Sequence, residues 1–189
     1  DIAKTTQQIN HYHYTLMNDI TIREIDAFTT NFAITNLFEG GLYGCVEGDD
    51  KIAVITTQKT LFGALSENAV VEDLVLCGTV RGDSFVADEN FGKIKNVKIV
   101  SQSQETEIAK PSILSATAEK NAIGGIVGLN AGLIANSSFA GRIVGADLSA
   151  LESVGGIAGE NSGKIENSAV EFCAYFESNN PYAPTQNYD

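Results

Sequence analysis

The chain has 189 residues, 43% hydrophobic and 19% charged, a balance that supports one packed core and excludes an intrinsically disordered polymer. No run of about 18 apolar residues offers a membrane-crossing helix, so no membrane insertion is expected. A formal net charge of -12 opposes the Lys- and Arg-lined groove that tracks phosphates, which makes nucleic acid a poor partner.

The chain starts at Asp1 without an initiator Met or a basic-then-apolar leader, as expected of a mature form or of a piece of something longer. Its only histidines, His11 and His13, open the first predicted strand. HYH spacing puts both imidazoles on one strand face and permits weak metal capture, but no Cys or carboxylate close by completes a site. No HExxH occurs, so neither a metal nor metallopeptidase chemistry is expected here. LFGALSENAVVEDLVL, from Leu61 to Leu76, reads as a diverged extended repeat copy. Cys45, Cys77 and Cys173 form an odd set without CxxC spacing, read as three buried thiols with one disulfide, such as Cys45 to Cys77, left open.

Asp49, Asp50, Asp83, Asp88 and Glu89 are the candidate acids, with Arg81, Lys93 and Lys95 the cations in the same region. Acids aligned on one face of a strand stack are what a glycan-cleaving enzyme needs, together with cationic groups to hold a sugar acid. The simpler reading, preferred here, is that these acids decorate loops and keep the protein soluble.

From Asn90 the pattern becomes periodic. Asn90, Gly92, Ile94 and Asn96 alternate with Lys93 and Lys95, and Val71 and Asp73 take the Ile and Asn places twenty-three positions earlier. Ser101 to Ala122 breaks the pattern and reads as an excursion, with any helix confined to such insertions. Then GGIVGLNAGLIANS, from Gly124 to Ser137, recurs thirty-one positions later as GGIAGENSGKIENS, from Gly155 to Ser168, identical at nine of fourteen positions. The shared residues Gly124, Gly125, Gly128, Asn130, Gly132 and Asn136 match Gly155, Gly156, Gly159, Asn161, Gly163 and Asn167, with Ile126 and Ile134 matching Ile157 and Ile165. Retention at every second residue means extended chain, and recurrence at a fixed spacing means stacked copies. Inward Ile fills a core, Gly supplies positive φ and close backbone approach at corners, and stacked Asn side chains bond one another. The expected ladders are Asn130 over Asn161 and Asn136 over Asn167.

IGGIVGLNAG resembles a dinucleotide-binding turn, but Ile123 and Val154 stand at the first fingerprint glycine and a cofactor loop would not recur in the same strand phase, so no cofactor is expected. Leu129 and Leu133 fall on the outward phase, where the next copy has Glu160 and Lys164. The excursion carrying Ile108, Ile113 and Leu114 is expected to fold back over them, the alternative being a partner-binding patch. A second excursion runs from Val144 to Val154, and the polar, Pro-interrupted segment 177–189 reads as a linker beyond a single domain of residues 1–176.

Together these segments resemble the Gly-rich repeats called the GLUG motif, found in bacterial adhesins and in the non-catalytic regions of IgA1-protease-type metallopeptidases. The resemblance rests on YTLMNDI, FEGGLYG, LFG and the two repeat copies, spanning roughly residues 12 to 175. The family turn continues into Asp-Gly-Asn-Gly, whereas Gly44, Cys45, Val46, Glu47, Gly48 and Asp49 follow here, so the first corner departs from the family. The resemblance implies an all-β, right-handed parallel β-helix of pectin-lyase-like shape; the twenty-three-residue spacing from Val71 to Ile94, with allowance for the excursions, gives a β-solenoid of six or seven coils. The resemblance also implies a secreted, extracellular or cell-surface setting within a larger surface protein and no particular ligand; other domains of the same polypeptide, or a host or matrix protein or glycan, are the partners expected. The expected function is non-enzymatic, structural or adhesive. The alternatives are a glycan-binding or glycan-cleaving domain, and a substrate-recognition region of a larger surface metallopeptidase.

Overall fold

The structure, a computed structural model, describes residues 11–22, 37–44, 52–101, 110–116, 122–145 and 152–176. In chain order its strands are β1 (His13–Thr15), β2 (Ile20–Ile22), β3 (Leu37–Phe38), β4 (Gly41–Tyr43), β5 (Val54–Thr57) and β6 (Phe62–Leu65). The next are β7 (Val70–Arg81), β8 (Ala87–Asn90), β9 (Lys93–Ile99), β10 (Ser112–Ser115), β11 (Ala122–Gly124) and β12 (Val127–Asn130). The last are β13 (Leu133–Ala135), β14 (Ser138–Gly145), β15 (Ser153–Gly155), β16 (Ala158–Asn161), β17 (Lys164–Glu166) and β18 (Ala169–Phe176). No helix occurs among the described residues, and the strand pairings there are parallel, an all-β arrangement compatible with a β-helix-like fold.

Parallel strands cannot be joined by tight hairpins, so each must be reached by a crossover. Here the crossovers are themselves strands of neighbouring ladders. One ladder has six rungs, in which Tyr14, Leu42, Val71, Ile94, Ile134 and Ile165 lie in register. Beside it run Ile20, Ile55, Leu76, Ile99, Phe139 and Val170. Across the core stand Phe38, Leu65, Asn90, Asn130 and Asn161. Inward alternation is what seals the interior, since period two sends every second side chain to one face. Val71, Ile94, Ile134, Leu76, Ile99 and Phe139 are all buried in one hydrophobic cluster. Aromatic contacts reinforce it, with Phe38 stacked on Phe62 at 4.6 Å and Phe85 tilted against Phe139 at 6.1 Å.

The register agrees with the sequence-based alignment of Val71, Ile94, Ile134 and Ile165, but the excursion after β9 is shorter than expected. Ser112–Ser115 is not part of it: β10 lies in register between β7 and β14, and Leu114 is a core residue between Val80 and Ile143. Ile113 pairs with Thr79 and Arg142 in the same strand, so neither residue folds back over Leu129 and Leu133; Ile108 lies outside the described residues. The reason is hydrophobic: alternating Ile113 and Leu114 satisfy a vacant ladder position better than a surface flap. The second interruption is also shorter, because β14 runs through Gly145 and β15 resumes at Ser153. The expected helix in the insertions falls outside the described residues.

One hydroxyl joins the two sides of the break after β9. Buried Ser112 donates from Oγ to the carbonyl of Val100 at 2.5 Å and accepts from the Gly78 amide at 3.1 Å, linking the departing strand, the returning strand and the layer before. Ser112→Ala leaves both backbone groups unpaired in a dry interior, and the expected cost is about 2 kcal/mol in chemical denaturation, against under about 0.5 kcal/mol for Ser101→Ala.

Candidate functional site

The repeat residues meet in two corner columns. In the first, Asn90 Nδ2 donates to Asn130 Oδ1 at 2.7 Å, and Asn130 Nδ2 donates to Asn161 Oδ1 at 2.7 Å. The series runs one layer further back than the expected Asn130 and Asn161 pair. Each amide also holds its own corner: Asn90 Oδ1 accepts from the Gly92 amide at 3.1 Å, and Asn130 and Asn161 point Nδ2 at the carbonyls of Gly132 and Gly163 at 3.4 Å. Asn90 and Asn130 are fully buried, so every polar atom lost there leaves a partner without water to replace it.

The second column works through its backbone. Asp73, Asn96, Asn136 and Asn167 adopt φ of 57°, 49°, 52° and 49°, the left-handed region that Asn and Asp tolerate best among residues with a Cβ. Asn96 Nδ2 donates to Asp73 Oδ1 at 2.7 Å, whereas Asn136 and Asn167 are exposed and share conformation rather than a buried amide bond. The serine after Asn136 and the one after Asn167 link the layers. Ser137 Oγ donates to Ala135 O at 2.9 Å and accepts from Val97 N at 3.1 Å, and Ser168 Oγ donates to Glu166 O at 2.9 Å and accepts from Ser137 N at 3.2 Å. The signal for this role was present as the Asn-Ser pair closing both repeat copies, but the sequence reading assigned the serine no part.

Positive φ at the repeat corners thus falls to Asp and Asn, so of the two tasks expected of the repeat glycines they carry the close backbone approach and not the positive φ. A Cβ on Gly132 would lie 2.2 Å from Gly92 O, and one on Gly163 2.2 Å from Gly132 O. Gly124, Gly125, Gly128, Gly155 and Gly159 likewise have backbone atoms of the chain within 3 Å of the Cβ position, while Gly156 faces the side chains of Val170 and Phe172. Layers approach so closely at the corner that hydrogen is the only side chain that fits.

Among the described residues the candidate acids fall on separate columns and turns. Glu89 lies in an outward column with Ala64, Leu129 and Glu160, while Lys93 shares the next with Val70, Leu133 and Lys164. Lys95 stands between Glu72 and Ala135, and Lys164 pairs with Glu166. Asp83 is buried and its carbonyl accepts from Gly124 N at 3.1 Å; Asp88 follows Ala87 in β8, Arg81 ends β7, and Asp49 and Asp50 lie outside the described residues. Leu129 and Leu133 are half-buried, with Glu89 and Glu160, and Lys93 and Lys164, in register on either side of them.

His11 and His13 go to separate partners. His11 Nδ1 lies 2.5 Å from Glu39 Oε2, and His13 stacks on Tyr43 with Nδ1 3.2 Å from its hydroxyl. Among the described residues no group of three His, Cys, Asp or Glu is placed to hold a metal. Cys77 is a buried free thiol with Thr56 Oγ1 at 3.4 Å, but Cys173 is exposed, which corrects the expectation of three buried thiols: it sits on the last strand, with no further described layer over it. Cys45 lies outside the described residues.

Sequence reasoning also missed a cavity of about 140 Å³ at the N-terminal end of the ladders, lined by Tyr14, Leu16, Ile20, Leu42, Ile55 and Phe62 among others. Burial beside it, and secondarily the neighbouring Tyr12, raise the Tyr14 hydroxyl above its ordinary pKa of 10.0. Comparison with family models, curated proteins and solved structures finds no match to this chain.

Two outcomes follow from this geometry. Asn130→Leu removes a buried amide and strands the buried Asn90 Nδ2, and is expected to cost about 3 kcal/mol, whereas Asn161→Leu, on the exposed last described rung, costs under about 1 kcal/mol, both read from urea denaturation. Because a raised Tyr14 pKa keeps the folded form protonated while the unfolded form ionises, stability is lost as pH rises above 10.0. Tyr14→Phe should lose less stability than the parent between pH 9 and pH 11 in thermal melts; identical slopes would contradict this.

Proposed function

We propose that the chain is a right-handed parallel β-solenoid serving as a non-enzymatic structural or adhesive module of a secreted or cell-surface bacterial protein. The observation that carries this reading is the in-register amide series Asn90, Asn130 and Asn161, which spends the most distinctive residues of the chain on holding layers together. The resemblance to GLUG repeats points the same way, and the outward columns alternate Glu and Lys around the corner instead of bringing acids together. Such a stack makes a stiff spacer with long flat faces, suited to holding other domains away from a surface or to meeting a host or matrix ligand.

A second reading is a glycan-binding face. It is favoured by Phe91, 41% exposed at the corner between Glu89 and Lys93, where a ring can stack on a sugar while flanking polar groups bond its hydroxyls. A glycan array combined with a reducing-sugar assay separates these readings. The module reading expects no release of reducing ends from any glycan bound; release at a rate abolished by changing Glu89 would overturn it. Binding that falls at least tenfold in Phe91→Ala would establish the glycan face.

A further inference from the structure

At the C-terminal end of the ladders, positions sealed in one layer stand open in the next. Ile123 and Phe139 are 0% exposed, but their register partners Val154 and Val170 are 36% and 49% exposed, and Phe172 is 37% exposed. Asn130 is buried while Asn161, next in its column, is exposed. Among the described residues β15, β16, β17 and β18 are each paired along one edge, to β11, β12, β13 and β14 respectively. An apolar face bordered by unpaired backbone groups is a template for further strands.

We propose that this end face docks a further layer of parallel strands with the same repeat chemistry, an asparagine over Asn161 and apolar side chains over Val154, Val170 and Phe172. The inference rests on the layered winding proposed above. Its argument is continuity: the end presents the same edge, apolar positions and amide donor that already join one layer to the next. The amide series is directional, each Nδ2 donating toward the C-terminal end, so Asn161 Nδ2 is aimed where the next acceptor would stand. A second copy stacked head to tail fits less well, because the matching column position of its first described rung is Phe38, which offers no acceptor. The occupant is therefore a segment of the pattern G-G-I-x-G-x-N-x-G-x-I-x-N, added by strand pairing as in other cases of β-augmentation.

The test titrates a labelled peptide of residues Ser153–Phe176, carrying Cys173→Ser, onto the full chain, with amide hydrogen exchange of β18 as a second readout. Saturable binding is expected, with exchange in β18 slowed at least tenfold. Affinity should fall at least tenfold when the peptide carries Asn161→Leu, and also when the chain carries Val170→Asp, whose circular dichroism reports that the fold is retained. No saturable binding, or equal binding of the two peptides, would overturn the proposal. Sedimentation showing that the chain associates with its own copies through Val170 would overturn it as well, since a second copy would then be the occupant. Failure of the peptide alongside the expected stability contrast between Asn130→Leu and Asn161→Leu would remove the docking face and leave the ladder reading in place.

Discussion

A buried amide must find its hydrogen-bond partners inside the protein, and here Asn130 finds them in the layer before and the layer after, on Asn90 and Asn161. Asn90, Asn130 and Asn161 are bonded in series at 2.7 Å, and that requirement fixes more than one strand pair. A slip of one residue in β8, β12 or β16 would turn the amide outward and an outward residue such as Glu89 or Leu129 inward, because side chains alternate with period two. Register is thus set by polar demand where apolar packing alone would tolerate error. The same column is apolar at its N-terminal end, where Phe38 and Leu65 occupy the equivalent places and Phe38 stacks on Phe62.

The other repeat residues serve that arrangement by division of labour. Gly132 and Gly163 let the backbone of one layer approach that of the layer before, as amide bonding between adjacent rungs requires. Asn136 and Asn167 turn the chain through the left-handed region, and Ser137 and Ser168 then take up backbone groups on both sides of the turn. These bonds satisfy backbone groups at the turn with side chains, as a close-packed interior demands. What remains for the outside among the described residues is a Glu89, Leu129, Glu160 column beside a Lys93, Leu133, Lys164 column.

Much of this architecture was legible in the chain because its information is periodic. Matching every second residue of two copies placed Ile134 over Ile165 and Asn130 over Asn161, and the weaker match at Asn90 through Asn96 and at Val71 placed two further rungs in register. The failures share a cause. Ser112–Ser115 resembles no repeat copy, so its place in the sheet follows only from the vacancy between β7 and β14, which exists in three dimensions alone. That Gly132 serves close approach alone, and not positive φ as well, could not be told from sequence, since both favour the same residue. The cavity beside Tyr14 and the exposed end at Val170 belong to the ends of the ladders, where periodicity stops carrying information.

The central claim is that the asparagines act as one bonded series and not as separate polar residues tolerated in a core. A double-mutant cycle between Asn90→Leu and Asn130→Leu, read by chemical denaturation, addresses it most directly. Replacing one asparagine leaves its neighbour unpaired, whereas replacing both removes that penalty, so the pair should be less destabilising than the sum of the single changes by at least about 1 kcal/mol. Costs that simply add, to within about 0.5 kcal/mol, would contradict the account.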